Sequence, residues 1–196
     1  MITFIKGKIV EKNPAYTVID TASGLGFTVH ISLNTYAKLP DPGAEVSLLT
    51  HFVVKEDAQT LYGFFDETER SLFRLLISVN GIGPNTALII LSAMTPSELA
   101  EAIASENTRL IQSVKGIGTK TAQRLVVDIK DKVGKLQISS DKISTHNNNN
   151  KNEALSALVS LGFNKNQVET VLNKIFKSEG DDLSIEDLIK MALKLL

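Results

Sequence analysis

The order of apolar and polar positions changes character along the chain. Over residues 1–65, Phe4, Ile5, Ile9 and Val10 lie in a charge-punctuated, β-branched run that stops at Asn13-Pro14. An apolar stretch at 16–19 follows, then Gly24-Leu25-Gly26, then Phe27 to Ile31 with the period-2 alternation of a half-buried strand. Asp41-Pro42-Gly43 and Lys55-Glu56-Asp57-Ala58 read as turns on either side of the run at 46–54, and Leu61-Tyr62-Gly63-Phe64 closes the block. Strands spaced by turns in this way predict a small closed β-barrel of OB type, with residues 34–39 as a short helix.

At Asp66 the period becomes helical. Asp66-Glu67-Thr68-Glu69 has the spacing of a capping box, and Leu72, Leu75, Leu76 and Val79 form one apolar stripe. Asn80 to Pro84 breaks that helix, and Pro84 suits the first turn of the next, over 87–93. Thr95 and Glu98 mark another capping box, and Asn107 caps a short helix through Leu110 and Ile111. After Lys115-Gly116-Ile117-Gly118 the stripe Ala122, Leu125, Val126, Ile129 and Val133 predicts a last helix. Residues 66–137 thus read as an all-helical block. Residues 138–152, with Asn147 to Asn150 in a row, offer too little apolar surface to offset the entropy of ordering, and are expected to be a flexible linker. Residues 153–196 predict three short helices, with stripes on Ala154, Leu155, Leu158 and Leu161, on Val168, Val171, Leu172 and Ile175, and on Leu188, Ala192 and Leu195. So small a core suggests a module that docks on something else.

Composition removes several chemistries. With 196 residues and no Cys, the chain has no disulfide, thiolate nucleophile or Cys-based zinc site. His30, His51 and His146 are scattered, so no paired imidazoles await a metal, and neither cofactor nor metal is expected. The first residues carry a charge every few positions and no apolar run approaches the roughly 18 residues needed to span a bilayer, so a cytoplasmic protein is expected. The net charge is only −1, yet residues 109–135 hold seven cations against Asp128 and Asp131, a local +5. One directed cationic face on a neutral body fits that distribution.

The most informative signal is a repeat. Residues 76–87 align with residues 111–122, and seven of the twelve positions are identical: Ser-Val, Gly-Ile-Gly and Thr-Ala. Each copy is an apolar helix, Gly-Ile-Gly, then a second helix. The glycines permit positive φ and close approach of a ligand, Ile82 and Ile117 read as buried pegs, and the following helix N-termini offer unpaired amides to an anion. Such a pair can grip a duplex backbone at two points without reading bases. A dinucleotide fingerprint would need a third Gly where Thr86 and Thr121 stand, and no strand leads into Lys120-Thr121 as a Walker loop requires.

The double Gly-Ile-Gly block resembles paired helix–hairpin–helix motifs. Together with residues 51–59 and Leu61-Tyr62-Gly63-Phe64, the whole chain resembles the RuvA family, the bacterial Holliday-junction-binding subunits of the RuvAB branch-migration complex. The resemblance implies an α+β multi-domain fold: an OB-like barrel (1–65), a central all-α double helix–hairpin–helix domain (66–137), and a three-helix, UBA-like C-terminal domain (153–196). It implies a non-catalytic subunit acting in homologous recombination, DNA repair and the SOS response to DNA damage. In that role it holds the four-way junction open and square-planar, as a homotetramer or two opposed tetramers. The RuvB hexameric ATPase would be its motor, and the RuvC resolvase a further partner. Residue by residue, Gly81, Ile82, Gly83 and Asn85 and then Lys115, Gly116, Ile117, Gly118, Lys120 and Arg124 would meet DNA. Glu56 and Asp57 would form an acidic pin at the junction centre, and Leu158, Leu161 and Phe163 a docking face for the motor.

The sequence departs from the family at Asn85 and Thr119, where members commonly carry Lys, and at Lys115, where Pro is frequent. The charge is therefore expected on the other flank of the second hairpin. From the residues alone, two other classes stay open: an accessory to a junction or flap nuclease, and a protein-interaction scaffold whose tail is the active part.

Overall fold

A computed structural model of the chain describes residues 2–141, 146–179 and 183–196. They form two compact units, divided between residues 140 and 141.

The first unit begins with five strands, β1 (Phe4–Lys12), β2 (Tyr16–Asp20), β3 (Gly26–Ile31), β4 (Glu45–Val54) and β5 (Gln59–Phe64), and α1 (Leu33–Lys38) lies between β3 and β4. They close in the order β1-β2-β3-β5-β4, with β3 and β5 parallel and the other neighbouring pairs antiparallel. Alternate residues fill the barrel: Ile5, Ile9, Ile19, Val29, Ile31, Val46, Leu48 and Leu61. β5 is apolar on both faces because it has two duties. Leu61 points into the barrel, while Tyr62 and Phe64 join the helical core and pack on Phe73 at 5.1 and 4.9 Å.

The helices follow as α2 (Glu67–Ile77), α3 (Pro84–Ala93), α4 (Pro96–Ala104), α5 (Thr108–Gln112) and α6 (Thr119–Asp141). Thr95 and Glu98 form a complete capping box on α4. Asp66 caps α2 by accepting from the Glu69 amide at 2.9 Å, but the Glu69 carboxylate turns away into the protein, so only half of the expected box forms. The helical core runs unbroken from Leu72 and Phe73 to Ile129 and Val133. Each fully buried Leu, Ile or Phe in it contributes about 1.5–3 kcal/mol relative to exposure.

The second unit packs α7 (His146–Ser160), α8 (Lys165–Glu179) and α9 (Ile185–Leu195) around Leu158, Val168, Leu172, Ile175 and Leu188. The linker expected over 138–152 takes a different path. α6 continues to Asp141 and α7 already begins at His146; residues 142–145 lie outside the described residues. Composition missed local partners. The Asn150 amide donates to Leu183 O at 3.1 Å, and Lys151 donates to Asn173 Oδ1 at 2.6 Å while sitting 5.5 Å from the Phe176 ring.

Candidate nucleic-acid interface

The barrel fixes the helical block through polar contacts that no local pattern announces. Glu69 is fully buried, and its carboxylate receives the hydroxyl of Ser32, which caps α1, and, at 2.7 Å, that of Thr35 within α1. Burial pushes the Glu69 carboxyl above the usual range, against the pull of those two hydroxyls. Arg70, also buried, donates to Thr3 O at 3.0 Å and pairs with Glu67. The Asn34 amide reaches Leu91 O and Met94 O at the end of α3, and Leu33 N–H donates to Ser92 Oγ at 3.1 Å. A side chain that loses such a partner leaves a buried polar group unsatisfied, a cost of about 1–3 kcal/mol. The hairpins therefore stand on a rigid base.

The two hairpins match bond for bond. Val79 N–H donates to Leu76 O at 3.1 Å, and Val114 N–H to Ile111 O at 3.3 Å. Ile82 N–H donates to Val79 O and Ile117 N–H to Val114 O, both at 3.1 Å. Ala87 N–H then meets Gly83 O at 2.9 Å, and Ala122 N–H meets Gly118 O at 3.0 Å. Gly81 and Gly116 have φ of 95° and 93°, a conformation that favours glycine. Gly83 differs, with an ordinary φ of −83°. A Cβ built on Gly83 or on Gly118 meets nothing within 4 Å. The chain's own packing therefore does not require glycine at 83 or 118.

Ile82 and Ile117 are buried pegs, and their amides are used inside the turn. The two isoleucines, expected among the DNA contacts, are buried and shape the turn. The donors left facing outward are the first amides of α3 and α6, at Asn85 and Thr86 and at 119–121, which have no carbonyl one helical turn back. The Asn85 side chain, although exposed, is held: the Tyr62 hydroxyl donates to its Oδ1 at 2.8 Å. Nothing in the sequence pointed to this pairing, because 23 residues and a change of module separate the partners.

The decoration of the hairpins differs. Lys115, Lys120 and Arg124 are exposed and stand in no ion pair among the described residues. The equivalent positions of the first hairpin are Asn80, Asn85 and the half-exposed Ile89. An open groove of about 580 Å³ joins the two copies, lined by Asn80 and Gly81 of the first and by Lys120, Thr121, Gln123, Arg124, Val127 and the acidic Asp128 of the second. Lys115 does not line it. Lys130, counted in the cationic stretch, is paired with Glu106 at 2.6 Å.

Glu56 and Asp57 sit exposed at the tip of the β4–β5 hairpin, whose turn closes by Lys55 N–H to Ala58 O at 2.8 Å. In the second unit Leu158 is fully buried and Phe163 packs partly buried against the same core, whereas Leu161 is 64% exposed. Leu158 therefore builds the module and is not available to a partner. No group of three or more His, Asp or Glu able to hold a metal occurs among the described residues, and no single helix there is long and apolar enough to cross a membrane.

A closed barrel joined by buried polar contacts to two equivalent glycine hairpins, with a separate three-helix unit, has the construction of a DNA-binding protein. Known families agree in all three parts. The RuvA N terminal domain family matches residues 1–63, the SAM-like helix-hairpin-helix tandem family residues 73–131, and the RuvA C-terminal domain family residues 149–196. The Holliday junction branch migration complex subunit RuvA of Christiangramia forsetii is 52% identical over 196 residues, covering 100% of both chains. Those of Cytophaga hutchinsonii and Coxiella burnetii are 45% and 40% identical, the first over 100% of both chains, the second over 99% of this chain and 97% of its own. The chain belongs to the RuvA family.

Proposed function

We propose that this chain binds the four-way DNA junction by shape and phosphate geometry and presents it to the RuvB motor for branch migration in recombination and repair. The observation that carries this reading is the pair of equivalent hairpins on one groove, with Asn80 and Gly81 of the first facing the exposed Lys120 and Arg124 of the second. Backbone amides and the Lys120 and Arg124 cations meet phosphates there, and no base edge is read. The chain performs no chemistry; ATP hydrolysis belongs to RuvB. Four copies form a tetramer around the junction, alone or facing a second tetramer, in the cytoplasm, and RuvC acts on the junction so held.

Glu56 and Asp57 support the choice of a junction over plain duplex. Two exposed carboxylates repel phosphate, and four copies would gather eight negative charges within about one Debye length of 8–10 Å. The deciding experiment is a titration of the purified chain against a synthetic four-way junction and a linear duplex of equal length, repeated over a range of salt. The junction should bind much more tightly, with log affinity falling linearly in log salt. Glu56→Gln with Asp57→Asn should raise duplex affinity more than junction affinity. Equal binding of both DNAs by the unaltered chain would refute the reading.

A further inference from the structure

The first hairpin has the backbone of the second but none of its cations. We propose that Tyr62 is a positioning residue for DNA: its hydroxyl holds the Asn85 carboxamide so that a neutral amide donor stands where the second hairpin presents the Lys120 ammonium. The inference rests on the hairpins being phosphate sites and adds how the uncharged one grips.

Asn85 and Lys120 are both the second residue of their helix, α3 and α6. An unheld carboxamide presents its oxygen as readily as its nitrogen, and the oxygen repels phosphate. With Oδ1 accepting from Tyr62 at 2.8 Å, the two N–H groups of Nδ2 are left for a partner outside the chain, on an exposed residue. Tyr62 is a fixed donor. It is 5% exposed, its ring packs on Phe73 at 5.1 Å and lies 5.9 Å from His30, and β5 pairs it with His30 on one side and His51 on the other. Burial also pushes its phenol up, so the hydroxyl keeps its proton. A neutral donor releases no counterion, so the first hairpin's hold does not weaken as salt rises.

The test measures junction affinity of the full chain at several salt concentrations. Asn85→Ala and Tyr62→Phe should each weaken binding about fivefold, the size of one neutral hydrogen bond, with an unchanged salt slope. The double variant should be no worse than either single one. Lys120→Ala, by contrast, should flatten the slope by about one unit. Asn85→Lys should steepen the slope and make Tyr62→Phe silent. Tyr62→Phe keeps the packed ring, and an unchanged melting temperature would show that the loss is not one of folding. The proposal is overturned if Tyr62→Phe binds like the unaltered chain, if the two losses add, or if either changes the slope. Should Gly83→Ala and Gly118→Ala also leave binding untouched, the hairpin reading itself falls; if they weaken binding while Asn85→Ala is silent, only the present proposal does.

Discussion

The two hairpins share one backbone and differ in the charge laid on it. The second carries Lys115, Lys120 and Arg124, exposed and in no ion pair; the first carries Asn80, Asn85 and Ile89 at the same places. Turn geometry is thus independent of charge, because it is set by Gly81 and Gly116 at positive φ and by the buried pegs Ile82 and Ile117. Charge is laid on afterwards, on positions that point away from the core. In a repeated motif the conformation is the common part, and the electrostatics can be assigned to one copy only.

The comparison breaks most visibly if charge is removed. Lys120→Ala with Arg124→Ala should weaken junction binding about a hundredfold at low salt and lower the salt slope by about two units. Asn80→Ala with Asn85→Ala should leave the slope alone. Equal slopes in both double variants would mean that the hairpins are electrically alike.

Glycine substitution should act next, and on both hairpins equally. Gly83→Ala and Gly118→Ala should each cost about tenfold in binding, ~1.4 kcal/mol, because a Cβ then stands where a phosphate approaches. Their melting temperatures should hold or rise slightly, since the backbone at 83 and 118 suits alanine. Gly81→Ala and Gly116→Ala should instead lower the melting temperature, because a left-handed alanine costs roughly 1–2 kcal/mol of stability.

A smaller change would sharpen the contrast by erasing it. Asn80→Lys places a cation on the groove where Lys115 has its counterpart, and should steepen the salt slope by about one unit and tighten binding severalfold. Lys115→Ala should flatten the slope by about one unit if that lysine, off the groove, still reaches a phosphate. An unchanged slope would assign it to solvation of the turn.

The smallest effect concerns the base on which both hairpins stand. The folded-state carboxyl of Glu69 is raised, so its cost to stability is absent below its ordinary value of 4.5 and grows as pH rises through the folded value. His51 works in the opposite sense: burial, then Arg74 and Arg70, lower it below 6.5, so folding gains as pH rises toward that value. Melting curves of the unaltered chain and of Glu69→Gln should therefore diverge as pH rises from 4.5 and then run parallel. Curves parallel from the lowest pH would show that Glu69 titrates alike folded and unfolded.

Much of this was visible in one dimension. The repeat of Ser-Val, Gly-Ile-Gly and Thr-Ala identified the hairpins, because seven identities in twelve positions encode a local conformation held by bonds no more than four residues long. Caps at Thr95 and Asn107 were equally local and formed as read. Asp66 shows where locality ends. The cap formed, but Glu69 had a stronger use 34 residues away at Thr35 than at the start of its own helix. Leu158 was legible as an apolar stripe position, yet no periodicity separates a core leucine from a docking one; burial decided that.

The three modules, the barrel's alternation, the hairpin turns and the clustering of cations over 109–135 were legible along the chain. Each depends on a residue and its near neighbours along the chain. Contacts across the fold were needed to show that Tyr62 holds Asn85, that Glu69 and Arg70 fasten the helices to the barrel, that Lys130 is already paired, and that Asn150 and Lys151 belong to a packed helix. The physical reason is the same in every case. A polar side chain is defined by the partner that satisfies it, and in a closed fold that partner is chosen by proximity in space.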